Sequence, residues 1–201
     1  MHAYSTAIFC LVTAGSTLAQ AGPGEIFINI PDRVLEPGES TSVRLLAGFD
    51  STSDFAVAGV LTSLIADADG IDVSSAWSDV NLVAPMDGPG TTSGVPNAGG
   101  FTGITAGQLI FPPSGPGTDS SNPICFWQAT FTAPMDQGSF VLNLSTVPAR
   151  FDVYIERSSS RAESRLDGLT EGASTITVVP APASALVLLG LLANRRRREE
   201  I

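Results

Sequence analysis

The chain contains no lysine, and its ten basic residues besides histidine are all arginine. Its one histidine is His2, and its two cysteines are Cys10 and Cys125. Ser-His-Asp, Cys-His and Ser-Lys nucleophile systems each need a nitrogen base that the interior of this sequence does not supply. A zinc site lacks imidazole and has too few thiolates. Cys10 falls in an N-terminal apolar run that reads as removable, which leaves Cys125 alone and allows no intramolecular disulfide. Within Ile124-Cys125-Phe126-Trp127 it reads as a small buried hydrophobe. Positive charge is scarce too: between Gly22 and Pro180 there are 18 acidic residues against six arginines, a net of −12. No cationic patch is present to displace counterions from nucleic acid, and anionic lipid is repelled. The balance favours solubility and attracts cations.

Hydrophobic runs are short, and the two clearest lie near the ends. Ala7-Ile8-Phe9-Cys10-Leu11-Val12 is followed by small and polar residues up to Ala19-Gln20-Ala21. This is the order of a secretory h-region and an A-x-A cleavage site at Ala19 and Ala21, so residues 1–21 are expected to be a signal peptide read by the Sec translocon. The other run, Ala183 to Ala193, has 11 residues and is followed by Arg195, Arg196, Arg197 and Arg198. At about 1.5 Å per residue it spans roughly half of a 30 Å hydrocarbon core. The arginine block stays on the cytoplasmic side and places everything before it outside. Pro180-Ala181-Pro182, the Ala183-Ser184 pair, the leucine-rich stretch with Gly190 and the arginine block together resemble the PEP-CTERM sorting tail of Gram-negative bacteria, with Ala181 where that family usually has glutamate. The resemblance implies that residues 180–201 form a short hydrophobic helix with its flanks, recognised by an exosortase, a membrane cysteine transpeptidase. It implies transient membrane anchoring, cleavage near Pro180 and Pro182, and delivery to the cell surface or extracellular matrix.

Between these ends, 22–179, the pattern is period two. Ile26, Ile28 and Ile30 alternate with Glu25, Phe27 and Asn29, and Phe151, Val153 and Ile155 alternate with Asp152, Tyr154 and Glu156. Further strands are expected at Thr41–Phe49, Phe55–Ile65, Val80–Ala84, Gln108–Phe111, Ile124–Thr132, Phe140–Leu144 and Ser174–Val179. Glycine and proline crowd the stretch Pro85–Pro123, which predicts two long loops, Pro85–Gly100 and Pro112–Pro123, around a short pair of strands. Ser160–Leu166 reads as a loop with at most one helical turn. The expectation is all-β, a single antiparallel β-sandwich of jelly-roll or immunoglobulin-like type, with Trp127, Phe131, Leu142, Leu144, Val153 and Ile155 buried together.

Three features could carry function. Asp67-Ala68-Asp69-Gly70-Ile71-Asp72 gathers oxygen ligands of the kind Ca²⁺ uses, without the EF-hand spacing; an acidic turn is the plainer reading. Trp77, in a turn-rich segment, and Tyr154, between Asp152 and Glu156, are the aromatic rings expected to be exposed for a sugar. The 18 carboxylates leave room for a glycosidase pair, but no local pattern marks one, and the chain reads as non-catalytic and without a cofactor.

A second resemblance covers most of the body. Leu35-Glu36-Pro37-Gly38-Glu39-Ser40 with Val43, the region Phe55–Asp72, Gln128-Ala129-Thr130-Phe131-Thr132 and Gly138–Leu144 together look like a cohesin-like domain. That family has a jelly-roll sandwich related to carbohydrate-binding modules, and its members bind dockerin domains or polysaccharide. Three readings follow: a surface or matrix protein serving adhesion or association with the envelope or exopolysaccharide, a cohesin-like module for dockerin-type partners or polysaccharide, and a carboxylate-dependent glycoside hydrolase.

Overall fold

A computed structural model describes residues 24–108, 118–157 and 161–179. The expected signal peptide, sorting tail and C-terminal helix lie outside the described residues, as do most of Gln108–Phe111 and the first half of Pro112–Pro123. The described residues form eleven strands: β1 (Glu25–Asn29), β2 (Val34–Leu35), β3 (Ser40–Gly48), β4 (Ala56–Asp67), β5 (Trp77–Leu82), β6 (Val95–Asn97), β7 (Gly100–Gly107), β8 (Ile124–Thr132), β9 (Phe140–Tyr154), β10 (Ala162–Ser164) and β11 (Ala173–Val178). The described residues contain one 3₁₀ turn, Ser74–Ala76, and no helix long and apolar enough to cross a membrane.

A four-stranded sheet, β1-β3-β8-β5, faces a seven-stranded sheet, β2-β11-β9-β4-β7-β6 with β10 also on β9. Between these strands every pairing is antiparallel except β11 with β2, a parallel contact that makes the larger sheet mixed. The core lies between the sheets because each strand turns alternate residues inward. Val43, Leu45 and Ala47 from β3 and Trp127, Ala129 and Phe131 from β8 meet Leu64, Phe101, Ile104, Leu142 and Ile176 from the other sheet. Trp127, Phe131, Leu142, Leu144 and Val153 are all buried, as their parity predicts.

The two strands expected at Phe140–Leu144 and at the Phe151 alternation are one strand of 15 residues. Leu142 and Leu144 are even-numbered, Phe151 and Val153 odd-numbered, yet all four face inward. A bulge reconciles them: Thr62 pairs with Pro148 and Leu61 with Arg150, so Ala149 is an extra residue on β9 and reverses the parity beyond it. Pro148 is tolerated because it falls between the part of β9 paired with β11 and the part paired with β10, where no N–H is required on that side. A second bulge, at Ala58 of β4, sits between the Val57–Val153 and Gly59–Asp152 pairs.

Other expectations need correction. Ile155 is only half-buried, because β9 ends at Tyr154. The Pro85–Gly100 loop contains β6, and the described part of Ser160–Leu166 contains β10, an edge strand with no helical turn.

Candidate binding face

The outer side of the seven-stranded sheet presents Leu61, Ser63, Ile65 and Asp67 from β4 beside Val141, Asn143, Ser145 and Val147 from β9. Among the described residues seven large hydrophobics are exposed, and four of them lie on this face or its β6 edge: Ile65, Val95, Val141 and Val147. Strands β4, β6, β7, β9 and β11 carry only three charged residues, Asp67, Arg150 and Asp152. Two of these neutralise each other, since Arg150 donates from Nε and Nη2 to Asp152 Oδ2. A nearly uncharged, partly apolar face on a body with a net charge of −12 departs from the rest of the surface.

Two depressions mark this face. One, of about 520 Å³, lies over Arg33, Asp67, Asn143, Ser145 and Thr175. The other, of about 300 Å³, follows from the strand register. Two rungs cross the sheet there, Asp152–Gly59–Gly107 and Arg150–Leu61–Thr105. The facing glycines Gly59 and Gly107 contribute no side chains, so a hollow opens between Leu61, Thr105 and the Arg150–Asp152 pair. Its wall, Pro89 to Thr91, is fixed to β7 by backbone bonds from Gly88 N to Gly107 O (3.2 Å) and Thr92 N to Thr105 O (2.8 Å), with Thr105 N to Thr92 O at 2.9 Å.

Tyr154 and Gln108 at the margin of this hollow have their polar groups satisfied. The Tyr154 hydroxyl donates to Gln108 O (2.9 Å), and the Gln108 amide donates to Val57 O and Asp119 O and accepts from Asp119 N. Tyr154 is therefore buried, not the exposed ring that alternation alone predicts, and its burial pushes the phenol above its ordinary value.

Trp77 is also not a free platform. It is half-buried, edge-on to Phe101 (5.5 Å between centroids) and Phe131 (5.1 Å), and its indole N–H is buried without an acceptor. The acidic cluster does not converge. Asp67 Oδ1 accepts from Asp69 N (3.1 Å) and Asp72 Oδ1 from Ser74 N (2.8 Å), each carboxylate closing its own turn. The Ser74 backbone bond lowers the Asp72 pKa. Among the described residues no group of three His, Cys, Asp or Glu is placed to hold a metal ion. Cys125 is half-buried and its thiol is pushed up by burial.

The residues that define the face, Ile65, Val141 and Val147, occupy outward positions in their strands. Their sequence signal is an apolar side chain at a position whose parity calls for a polar one.

No known protein family matches the chain, and no curated protein matches it. Solved structures do, and they define a class: the sandwich has the fold of a cohesin module. The seventh ScaB type I cohesin from Pseudobacteroides cellulosolvens superposes with a TM-score of 0.52 at 14% identity, covering 80% of this chain and 95% of that one. A type I cohesin–dockerin complex from Clostridium thermocellum matches at 11% identity (TM-score 0.45; 77% and 99% covered). The sixth cohesin from Acetivibrio cellulolyticus scaffoldin B, in complex with a Cel5 dockerin, matches at 14% (TM-score 0.44; 78% and 99% covered).

Proposed function

We propose that the sandwich is a non-catalytic binding module that takes a dockerin-type protein partner on the outer face of its seven-stranded sheet. The observation that carries this is the placement of Ile65, Val141 and Val147 together on a face almost free of charge. Burial of such side chains supplies affinity, and hydrogen-bonded strands give a rigid platform for it. The likeness of the fold to the ScaB cohesin supports the reading.

The terminal segments add a setting. We read residues 1–21 as addressing the chain to the Sec translocon and residues 180–201 as a tail for exosortase processing, so the module works at the cell surface or in the extracellular matrix. A tag placed after Ile201 is lost during maturation in a manner dependent on Pro180, Pro182 and Arg195–Arg198. A full-length tagged chain as the only surface form rejects the tail reading.

The binding test is a titration of the full chain with a panel of dockerin domains. Val147→Arg and Ile65→Arg lower affinity at least about tenfold and leave stability within about 0.5 kcal/mol, as exposed substitutions do. Arg44→Glu, on the four-stranded sheet, leaves affinity unchanged. Failure of every dockerin to bind, or binding that is insensitive to Val147→Arg, overturns the proposal.

A further inference from the structure

The 300 Å³ hollow is a product of register. Gly59 and Gly107 face each other across β4 and β7, and each neighbouring rung carries side chains. The bulge at Ala58 places Gly59 opposite Asp152, and the bulge at Ala149 places Arg150 opposite Leu61, so both bulges converge on this point. Bulges beside a site serve to re-aim side chains toward or away from it. Here they leave a cleft with Leu61 on one side, the fixed wall Pro89–Thr91 on another and, from β10, Ala162, which pairs with Tyr154.

Its chemistry is narrow. The Tyr154 hydroxyl and the Gln108 side-chain amide are both spent on backbone groups, so they offer little to a ligand. Asp152 is buried and engaged by Arg150. Arg150 is different. Its side chain is 68% exposed and its Nε and Nη2 both go to one oxygen of Asp152, so that pair does not take up the Nη1 donors. The pair is neutral, and the surrounding body is strongly negative. An anionic ligand gains nothing from the pair and is repelled by the body. The complement of this hollow is an apolar group carried next to an uncharged acceptor.

We infer that the hollow is the anchor pocket of the binding face, and that it receives one aliphatic side chain of a protein partner while Arg150 donates to a neighbouring backbone carbonyl of the same segment. The inference rests on the protein-partner reading and deepens it. The pocket is preformed, because backbone bonds hold its wall, and a preformed pocket saves the ordering cost that a mobile one imposes. Anchors of this kind concentrate binding energy near the middle of a face that is otherwise merely complementary.

The test does not require the natural partner. N-acetyl-leucine methylamide, an apolar side chain between two backbone acceptors, is titrated into the full chain while amide signals are followed by NMR. Saturable shifts confined to Gly90, Thr105, Gly107 and the Arg150 Nε–H, with a Kd on the order of millimolar, are the expected result. N-acetyl-serine methylamide produces none. Gly59→Val fills the hollow and abolishes the shifts; a Cβ at Gly59 meets only Ala106 O at 3.6 Å, so the strand accepts it. Thr105→Phe, a second way to fill it, does the same, and Thr102→Phe on the exposed part of β7 does not. Arg150→Lys, which keeps the charge and loses the fork, weakens the probe about threefold to tenfold.

Absence of any shift, or shifts that survive both Gly59→Val and Thr105→Phe, overturns the anchor pocket. Tighter binding of N-acetyl-aspartate methylamide than of the leucine probe overturns the assignment of an uncharged, apolar occupant. Dockerin binding that depends on Val147 with no leucine shift leaves the face reading standing without the pocket; a leucine shift with no dockerin bound leaves the pocket and removes the dockerin.

Discussion

Arg165 grips Asp54 in a two-point contact across 111 residues of sequence: Nη2 donates to Oδ1 at 2.8 Å and Nε to Oδ2 at 3.2 Å. The Asp54 side chain is only 2% exposed, and Arg165 also reaches Glu163 of β10. The pair therefore ties the strand-edge segment after β10 to the entry of β4. Arg165→Ala leaves a buried carboxylate without its counter-ion and is expected to cost about 3–5 kcal/mol. Arg165→Lys recovers part of this. Chemical denaturation of the two variants beside the parent chain measures it, and equal stability of Arg165→Ala and the parent rejects it.

Gly100 has φ +116, and a Cβ there would lie 2.0 Å from Leu64 O and 3.0 Å from Ala66 N. The start of β7 approaches β4 too closely for any side chain. Gly100→Ala is expected to lose about 3 kcal/mol or more, from backbone strain and separation of the two strands. Gly138 is the contrasting case, with nothing within 4 Å and no left-handed φ. Gly138→Ala is neutral or stabilising by up to about 1 kcal/mol. Thermal melts of both variants decide; a tolerated Gly100→Ala contradicts the described register.

Leu142 and Val141 are neighbours on β9 with opposite destinations, one wholly buried and the other 40% exposed. Leu142→Ala should destabilise by about 2–5 kcal/mol, the range for a buried leucine that leaves a cavity. Val141→Ala should change stability by less than about 0.5 kcal/mol while weakening partner binding. Denaturant midpoints together with partner titrations distinguish the two effects, and a reversed ranking in stability breaks the assignment of inner and outer faces.

Acid sensitivity follows from two turns. Asp50 accepts from the Thr52 backbone (2.9 Å) and hydroxyl (2.7 Å), and Asp72 accepts from the Ser74 backbone. These bonds, the backbone ones foremost, lower both carboxylates from the usual 3.8. A carboxylate lowered in the folded state stabilises above its unfolded value, and that contribution fades as pH falls through the folded value. The parent chain should therefore lose stability from about pH 4 downward, and Asp50→Asn with Asp72→Asn should flatten that limb. An identical acid limb in parent and double variant refutes the assignment.

Much of the fold is legible in the alternation of side chains. Trp127 and Phe131 on β8, and Leu142 and Leu144 on β9, face inward because residues two apart in a strand share a side, and that rule needs no knowledge of the partner strand. The bulge at Ala149 is where the rule fails. Its effect on the sequence is a change of parity across Pro148, which resembles the gap between two strands; only the pairing of both halves with β4 makes them one.

The candidate site is less legible for the same reason. Ile65, Val141 and Val147 are visible as apolar residues out of phase, but their meeting on one face depends on which strands lie side by side. Gly59 and Gly107 are 48 positions apart and carry no side chain that could announce a pocket; their hollow exists because the register sets one against the other. Tyr154 is outward by parity and buried by tertiary contact, since Gln108 closes over it. Composition and periodicity by themselves determined an acidic, all-β body with no nitrogen base and an inward set of apolar side chains, because those properties depend on residue identity and on spacings of two. The tertiary structure alone decided the bulges, the Asp54–Arg165 clamp, the uncharged face and its hollow, because each depends on residues far apart in the chain that only strand pairing brings together.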